Sequence, residues 1–425
     1  MPDQPQAPGP IVLKFPGGVN NRDREYALPE GSLREAVNLD VTRDGGLRVR
    51  DGLRQLMTGA WHSLFPHPHG AYLCAVKDGS LGVVKTGEFT ALTTVAGPVR
   101  YADLNGDVFW SDGHIQGRID GAGALAAWGL NPPPALQAVA LTGQGGLDAG
   151  TYQITYTATI NGLESGAPNP VILDVVAGGG IQVTTPASAA RFAIYITPPN
   201  GQSLEFARAA ELVGGVTAVI GAGNRGKNLE SLRAVKPFPA DHLCAYKGRL
   251  WAATGMTVWF TDTLSPHWLF PENGYFLFDA PVTLLEAAED GLYIAAGERT
   301  YFLQGTELDK MNLRPVMYHG AVSGSGFGEF PYYVLIDAQG MMPTRSCAWL
   351  STDGVFCIGR AGGMVSRVTD KSVSLSTGLS GLITYWQHDG MRSFMVATND
   401  QEQVVNAARD QTVATVFQQG VSLGP

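Results

Sequence analysis

The stretch that decides the fold is Leu243-Cys244-Ala245-Tyr246-Lys247-Gly248-Arg249-Leu250-Trp251-Ala252-Ala253. An apolar run reaches a two-residue turn that contains glycine, and a second apolar run with an aromatic residue follows. Short glycine-containing turns between apolar runs are typical of β-hairpins, because their residues tolerate the positive φ of a type I′ turn. The stretch therefore predicts two antiparallel strands that are joined at Lys247-Gly248.

Hairpins of this form recur along the chain. Apart from one gap of 142 residues between Gly106 and Gly248, the turn glycines are spaced loosely around the 40 to 50 residues of a propeller blade. Each hairpin has an apolar face that it cannot cover alone, and radial packing of blades would cover it. A pair of stacked β-sandwiches would explain the hairpins as well. The other predicted turns are Asp78-Gly79, Asn105-Gly106, Asp290-Gly291, Asp353-Gly354 and Asp389-Gly390.

The long gap has a different pattern. Asn131-Pro132-Pro133-Pro134 is a stiff linker, and residues 150–159 then alternate with period two, as a half-buried strand does. Further short strands follow up to Pro237, which predicts a small immunoglobulin-like β-sandwich inserted in the propeller-like domain. The predicted domains are an N-terminal arm with a short helix and hairpin (1–58), the first part of a β-propeller (59–130), the inserted sandwich (131–237) and the remainder of the propeller (238–425).

The N-terminal part carries two local signals. Residues 1–10 are rich in Pro and Gln and lack a basic stretch and an apolar core, so we do not expect a signal peptide. We expect residues 1–12 to form a flexible arm. Ser32 followed by Glu35 forms a capping box and predicts a helix over residues 32–38. Asp44-Gly45-Gly46 predicts a hairpin turn before the strand-like residues 47–50.

Composition supports a turn-rich all-β fold. The 425 residues include 54 Gly and 26 Pro, and only 16% are charged, against about 25% in a typical soluble domain. The net charge of −9 argues against a protein that grips the phosphates of duplex DNA. No apolar window is long enough for a membrane span. No two of the four cysteines form a CxxC motif, so we expect all four to be buried, reduced thiols.

Several candidate sites have simpler explanations. Asp103–Asp107 resembles a calcium loop, but its glycine is fourth rather than sixth, which favours a hairpin turn. His62, His67 and His69 lack a nearby carboxylate or thiol, which favours a surface loop over a metal site. The glycine-rich stretches 143–146 and 324–328 lack a phosphate-loop signature. We find no catalytic motif or carboxylate dyad and predict no catalytic residue, no cofactor and no metal.

One aromatic cluster has two interpretations. Aromatic residues at alternating strand positions are most often core residues, but exposed ones stack on sugars. For the second case the candidate stacking residues are Trp259, Trp268 and Tyr275. The whole cluster is Trp251, Trp259, Phe260, Trp268, Phe270, Tyr275, Phe276 and Phe278.

About two-thirds of the chain resembles a known family. Residues 15–21, 28–40 and 45–52 resemble the opening of tailed-bacteriophage tail and connector proteins, in which an LPxGxxRxAxNxD pattern recurs. Residues 241–262 and 301–305 are similar to the propeller portion of the same proteins, and 149–152 with 191–196 resemble their fibronectin-like insertions. The nearest group is the nozzle proteins of phage tails, also called tail tubular, tail accessory or packaged-DNA stabilisation proteins.

The resemblance implies a structural role in the virion. Nozzle proteins form a ring, commonly a hexamer, below the portal and adaptor, and their propellers surround the DNA exit channel. It implies a non-enzymatic viral tail component that is assembled in the host cytoplasm and acts in DNA retention and DNA ejection. Its partners would be further copies of itself, the adaptor or portal, and the distal tail or fibres. Contact with genomic DNA would be transient and non-sequence-specific, with no membrane insertion.

The ring would need contacts between neighbouring subunits. The arm and the predicted helix are the candidates, with Leu33, Arg34, Val37 and Asn38 as contact residues. One alternative is a receptor- or glycan-binding propeller at the tail tip. A second is a hydrolase of host glycans, which would need a carboxylate pair that the sequence does not reveal.

Overall fold

The computed structural model describes residues 13–37, 39–42, 44–49, 55–207, 212–272, 274–331, 345–388, 391–399 and 413–418. The chain divides into two compact units, Gly59–Leu277 and Met1–Thr58 together with Phe278–Pro425. The regular structure of these residues consists of β-strands and of 3₁₀ turns at Glu25–Ala27, Leu308–Lys310 and Ala361–Gly363. The protein is therefore all-β, as its composition predicts.

The N-terminal segment contains short strands and no α-helix within its described residues. Strand β1 (Gly18–Val19) pairs in parallel with β2 (Ser32–Leu33). Strand β3 (Leu39–Val41) forms an antiparallel hairpin with β4 (Leu47–Val49), and the predicted turn at Gly45 is confirmed by its φ of 80°.

The helix predicted over residues 32–38 is wrong. Ser32 and Leu33 are extended, and the Leu33 carbonyl accepts a hydrogen bond from the Asn20 N–H at 2.7 Å. This pairing uses backbone groups that a helix would need for its own hydrogen bonds. Local capping signals are weak compared with tertiary pairing, which therefore decided the structure here.

Two sheets follow the N-terminal segment, and both are antiparallel and run up and down in chain order. This is the strand order of a propeller blade. Blade 1 consists of β5 (Trp61–Pro66), β6 (Leu73–Lys77), β7 (Ser80–Lys85) and β8 (Glu88–Thr94). Blade 2 consists of β9 (Arg100–Leu104), β10 (Asp107–Ser111), β11 (Gln116–Ile119) and β12 (Leu125–Ala126).

The inserted β-sandwich comes next. One sheet has the order β13-β17-β21, and the other has the order β15-β14-β18-β19, with β16 paired to β14 and β20 to β18. Tyr152, Tyr156, Ile181 and Ile194 are among the buried residues of its core. The strands are β13 (Gln137–Leu141), β14 (Gly150–Ile160), β15 (Leu163–Glu164), β16 (Val171–Val175), β17 (Gly180–Thr184), β18 (Arg191–Ile196), β19 (Glu205–Phe206), β20 (Leu212–Val213) and β21 (Thr217–Ile220).

Blade 3 completes the unit Gly59–Leu277. Its strand β24 pairs with β25 at one end and with the short β26 at the other, so the sheet branches. The strands are β22 (His242–Tyr246), β23 (Arg249–Thr254), β24 (Thr257–Asp262), β25 (Ser265–Leu269) and β26 (Tyr275–Leu277).

Three further up-and-down sheets follow Phe278 and belong to the other unit. Blade 4 consists of β27 (Val282–Ala287), β28 (Gly291–Ala296), β29 (Arg299–Gln304) and β30 (Asn312–Met317). Blade 5 consists of β31 (Phe327–Pro331), β32 (Arg345–Leu350), β33 (Phe356–Arg360) and β34 (Met364–Arg367). Blade 6, as far as the described residues show, consists of β35 (Ser380–His388), β36 (Met391–Asn399) and β37 (Val413–Gln418).

Within each unit, consecutive blades bury their sheets on both faces. In β10, Trp110 packs in the core between blades 1 and 2, while the adjacent Phe109 packs in the core between blades 2 and 3. In β32, Trp349 faces blade 4 and Leu350 faces blade 6. Successive strand residues point to opposite faces, so these cores lie on either side of one sheet. The fold is propeller-like with an inserted β-sandwich.

Three of the predicted two-residue turns are confirmed. Both residues of Asp78-Gly79, Asn105-Gly106 and Lys247-Gly248 have positive φ, and the residues that flank each turn pair directly. These are the features of type I′ hairpins.

Two other turns differ from the prediction. Gly291 is the first residue of β28, and the turn residues are Glu289 and Asp290, since the Ala288 N–H donates to the Gly291 carbonyl. A Cβ at Gly291 would lie 2.5 Å from the Phe302 ring, so packing requires the glycine. Gly354 closes a wider turn, in which the Ser351 N–H donates to the Val355 carbonyl. Asp389-Gly390 lies outside the described residues.

Buried tyrosines link consecutive blades. The Tyr293 hydroxyl of blade 4 donates to the Arg360 carbonyl of blade 5 at 2.6 Å and lies 3.0 Å from the Met364 carbonyl. The Tyr72 hydroxyl, next to β6, donates similarly to the Asp120 carbonyl after β11 at 2.9 Å. Burial raises the pKa of both hydroxyls, so they remain neutral donors.

We predict that Gly106→Ala lowers the free energy of unfolding by about 1 kcal/mol, because an L-residue is strained at positive φ. The φ of Gly106 is 85°, and an added Cβ would meet no atom within 4 Å, so backbone strain alone is tested. Gly97→Ala is the control, since that Cβ also has open space and its φ is not in the left-handed region. Denaturant unfolding measures both, and equal stability of the two variants would contradict the assignment.

We predict that Tyr293→Phe costs about 1 to 2 kcal/mol of unfolding free energy, because the hydrogen bond from this hydroxyl to the Arg360 carbonyl is lost. Tyr318→Phe, at a side chain that is 76% exposed, should change stability by less than about 0.5 kcal/mol. Thermal unfolding of the two variants side by side tests the link between blades 4 and 5, and similar melting temperatures would refute it.

Candidate functional site

Leu33, Arg34 and Val37, three of the four predicted subunit-contact residues, do not lie on a helix. Leu33 is half-buried in β2, and the Arg34 guanidinium donates to the backbone carbonyl of Asp23. Val37 is 66% exposed, and Asn38 lies outside the described residues. Of these residues Val37 presents the largest apolar surface to solvent.

Hydrogen bonds attach this N-terminal segment to the C-terminal part of its own unit. The Asn21 N–H donates to the Ser372 carbonyl at 3.0 Å, and the Asn21 carboxamide donates to the Ser374 carbonyl at 2.9 Å. In return the Ser374 N–H donates to the carboxamide oxygen at 2.8 Å. Val19 packs against the core between blades 5 and 6. Residues more than 350 positions apart in the chain are thus joined.

Five large apolar side chains of the same segment remain in solvent. Exposed apolar side chains are candidates for an interaction surface where they form a contiguous patch. We call this set of residues the N-terminal apolar surface. Its members are Leu13, Tyr26, Val37, Val49 and Leu56, which are 66 to 81% exposed.

A groove in the unit Gly59–Leu277 brings together two of the three candidate stacking residues. Trp259 on β24 is 4% exposed and is the register partner of Tyr275 on β26, which is 54% exposed. The Phe238 ring, 46% exposed, meets Trp259 edge to face, with 6.2 Å between the ring centroids. The groove has a volume of about 400 Å³ and is lined further by Thr254, Thr257, Leu269, Pro271 and Gly274. We call it the aromatic groove.

Trp268, the third candidate, does not line the aromatic groove. It is 8% exposed, and its indole N–H donates to the Glu164 carbonyl of the sandwich at 3.0 Å. Its role is to join blade 3 to the inserted sandwich. The Trp251 ring lies tilted against Phe260 and stacks on Phe276, with ring centroids 4.8 and 6.2 Å apart, so these members of the cluster pack on one another.

Phe238 is a groove residue that the sequence reasoning missed. It lies between Pro237 and Pro239, outside any strand, so no periodic pattern indicated its role. The signal that could have found it is an aromatic residue fixed between two prolines just before a blade. Thr254 orients this segment, because its hydroxyl donates to the Pro239 carbonyl at 2.8 Å.

Of the histidines predicted to lie in a surface loop, His69 is exposed in a turn, whereas His67 is placed differently. His67 is 4% exposed and packs on Tyr72, with 4.5 Å between ring centroids. Its Nε2 donates to the Gly106 carbonyl at 3.0 Å, and its Nδ1 accepts the His69 N–H at 3.2 Å. The surface-loop prediction is therefore wrong for His67, and both of its nitrogens stabilise the fold. Among the described residues no three metal-ligating side chains come together.

The two glycine-rich stretches are packing loops. A Cβ at Gly145 would lie 2.7 Å from the Cα of Gly180 in the sandwich. A Cβ at Gly326 or Gly328 would lie 2.6 or 2.5 Å from a carboxylate oxygen of Glu286. A carboxylate against the loop would repel a phosphate, so this loop is unsuited to hold one.

No family model matches the sequence. The search of curated proteins found no match. Among solved structures, two crystal structures of BBS1N in complex with ARL6DN align, one soaked with mercury and one with lead. They share 11% and 10% sequence identity with this chain, with TM-scores of 0.29 and 0.30. Each alignment covers 82% of this chain and 95% or 93% of the other. Structural similarity with TM-scores of this size supports no conclusion about this chain.

Among the described residues, no helix has the length and apolarity to cross a membrane.

We predict that the four cysteines do not react with a thiol reagent in the native protein. All four are buried and none is in a disulfide, and burial raises the pKa of Cys74 and Cys357 to about 12. The thiolate is the reactive form, so raising the pH from 7 to about 9 should leave the native rate low. Denaturant should expose all four thiols. Ala27→Cys, at an exposed position, is the matched control and should give one fast equivalent. Fast labelling of the unmodified native chain would contradict the burial.

Proposed function

We propose that this chain is a structural component of a phage tail that forms a ring around the DNA exit channel below the portal and adaptor. The ring helps to retain the packaged DNA and then conducts it. The observation that supports the proposal best is the N-terminal apolar surface, which includes the exposed Val37 and belongs to the segment that Asn21 joins to Ser374. Positioned apolar side chains of this kind are what a neighbouring subunit buries.

Charge is consistent with a DNA channel. The chain carries a net charge of −9, and phosphates would be repelled or only weakly held by an acidic surface. Weak, non-sequence-specific contact suits a wall past which DNA slides. In this proposal the neighbours are further copies of this chain, the adaptor or portal, and the distal tail or fibres, and the protein catalyses no reaction.

The resemblance to nozzle proteins supplies the tail position, and the N-terminal apolar surface supplies a physical reason for assembly. A closed ring needs two different complementary surfaces on each subunit. The N-terminal segment is one of them, and its apolar residues 13–56 lie in the same part of the sequence that carries the resemblance.

The test is electron microscopy of the purified protein and of the virion, in which we expect six copies around an axial channel. A monodisperse monomer that is absent from virions would refute the proposal. Val37→Asp should weaken assembly about tenfold, because a charge would be buried at the interface. Leu264→Asp, at a side chain that is 76% exposed on a turn of blade 3, is the control and should assemble normally.

A further inference from the structure

The aromatic groove has the chemistry of a polyproline site. Grooves that bind proline-rich segments are lined with aromatic rings, between which the proline rings pack. Trp259, Tyr275 and Phe238 supply such rings, and Leu269 and Pro271 supply further apolar wall. No charged side chain is among the described residues that line it.

The hydrogen-bonding groups of the aromatic groove also favour a proline-rich occupant. The Tyr275 side chain lines the groove and is 54% exposed, so its hydroxyl can donate to an occupant. A proline-rich segment offers many carbonyl acceptors and few N–H donors, so it complements a groove whose exposed hydroxyl can donate.

A sugar fits the groove less well. A sugar presents many hydroxyls, and specific sites place several polar groups to meet them. The described lining residues include no carboxylate, amide or guanidinium group, and the Thr254 hydroxyl already donates to Pro239. The groove therefore favours a proline-rich occupant over a glycan.

The chain itself contains a segment of this kind. Residues 1–10 read Met-Pro-Asp-Gln-Pro-Gln-Ala-Pro-Gly-Pro, with prolines at positions 2, 5 and 8. A polyproline II helix has three residues per turn, so this spacing places Pro2, Pro5 and Pro8 on one face. Asp3 is the one charged side chain in the segment, which therefore suits an uncharged groove. The segment lies outside the described residues.

We propose that residues 1–10 of a second copy of this chain dock in the aromatic groove through Pro2, Pro5 and Pro8. Ten residues in polyproline II form span about 31 Å. The proposal rests on the proposed ring function and adds a second contact to the N-terminal apolar surface. Neighbouring copies would then be joined by two parts of the N-terminal segment, the N-terminal apolar surface and residues 1–10.

The test is photo-crosslinking in the full-length chain. A Tyr275→p-benzoylphenylalanine variant, prepared as an equal mixture of ¹⁵N-labelled and unlabelled protein, is irradiated, digested with trypsin and analysed by mass spectrometry. The expected product joins the groove of one isotopic form to the peptide that ends at Lys14 of the other. The same group at Tyr318, on the other unit, is the control and should not capture that peptide.

Proline variants test the register. Replacing Pro2, Pro5 and Pro8 together by Ala should lower the cross-link yield about tenfold, whereas Pro10→Ala, which is off the three-residue register, should retain it within about twofold. Cross-links within single isotopic forms only, or none to the arm, would overturn docking of a second copy. In that case, binding of an added glycan that does not compete with the arm would not restore the docking proposal.

Ring formation is measured on the same sample by electron microscopy. A ring without cross-links between isotopic forms refutes the docking proposal and leaves the proposed function standing. A monomer that is absent from virions refutes the proposed function, whatever the cross-links show.

Discussion

Burial of each central sheet on both faces is the constraint on which the rest of this structure depends. Adjacent residues such as Phe109 and Trp110 lie in different cores on either side of β10. A strand buried on both faces cannot alternate apolar and polar residues, so it becomes a short continuous apolar run. Such strands leave few positions for charged side chains, which is consistent with the 16% of residues that are charged.

Two-sided burial also explains how the polar groups are used. A buried polar group without a partner costs free energy, so Tyr293, Tyr72 and His67 bind carbonyls of neighbouring elements. The cysteines are buried, and burial raises the pKa of Cys74 and Cys357, which disfavours the nucleophilic thiolate. Side chains that could take part in chemistry are therefore engaged in contacts that hold the blades together. The candidate functional features lie on the surface instead.

Those surfaces were partly predictable. The sequence pointed to Val37, Trp259 and Tyr275, and the structure places Val37 in solvent and the two aromatic residues in one groove. Trp268 looked equivalent to Trp259 in the sequence, but its indole N–H is bound to Glu164. A strand pattern shows that residues alternate between faces, but it cannot show which face a second domain covers.

The sequence by itself determined the elements whose cause is local. Positive φ at Asn105-Gly106 and Lys247-Gly248 needs only the two residues of the turn, and the apolar runs beside them make the strands. Only the tertiary structure decided whether residues 32–38 form a helix and which rings stay exposed. In the first case, pairing of Leu33 with Asn20 outweighed a capping box. In the second, contacts with distant segments of the chain, such as Glu164 and Phe238, set the exposure of each ring, and local periodicity carries no information about them.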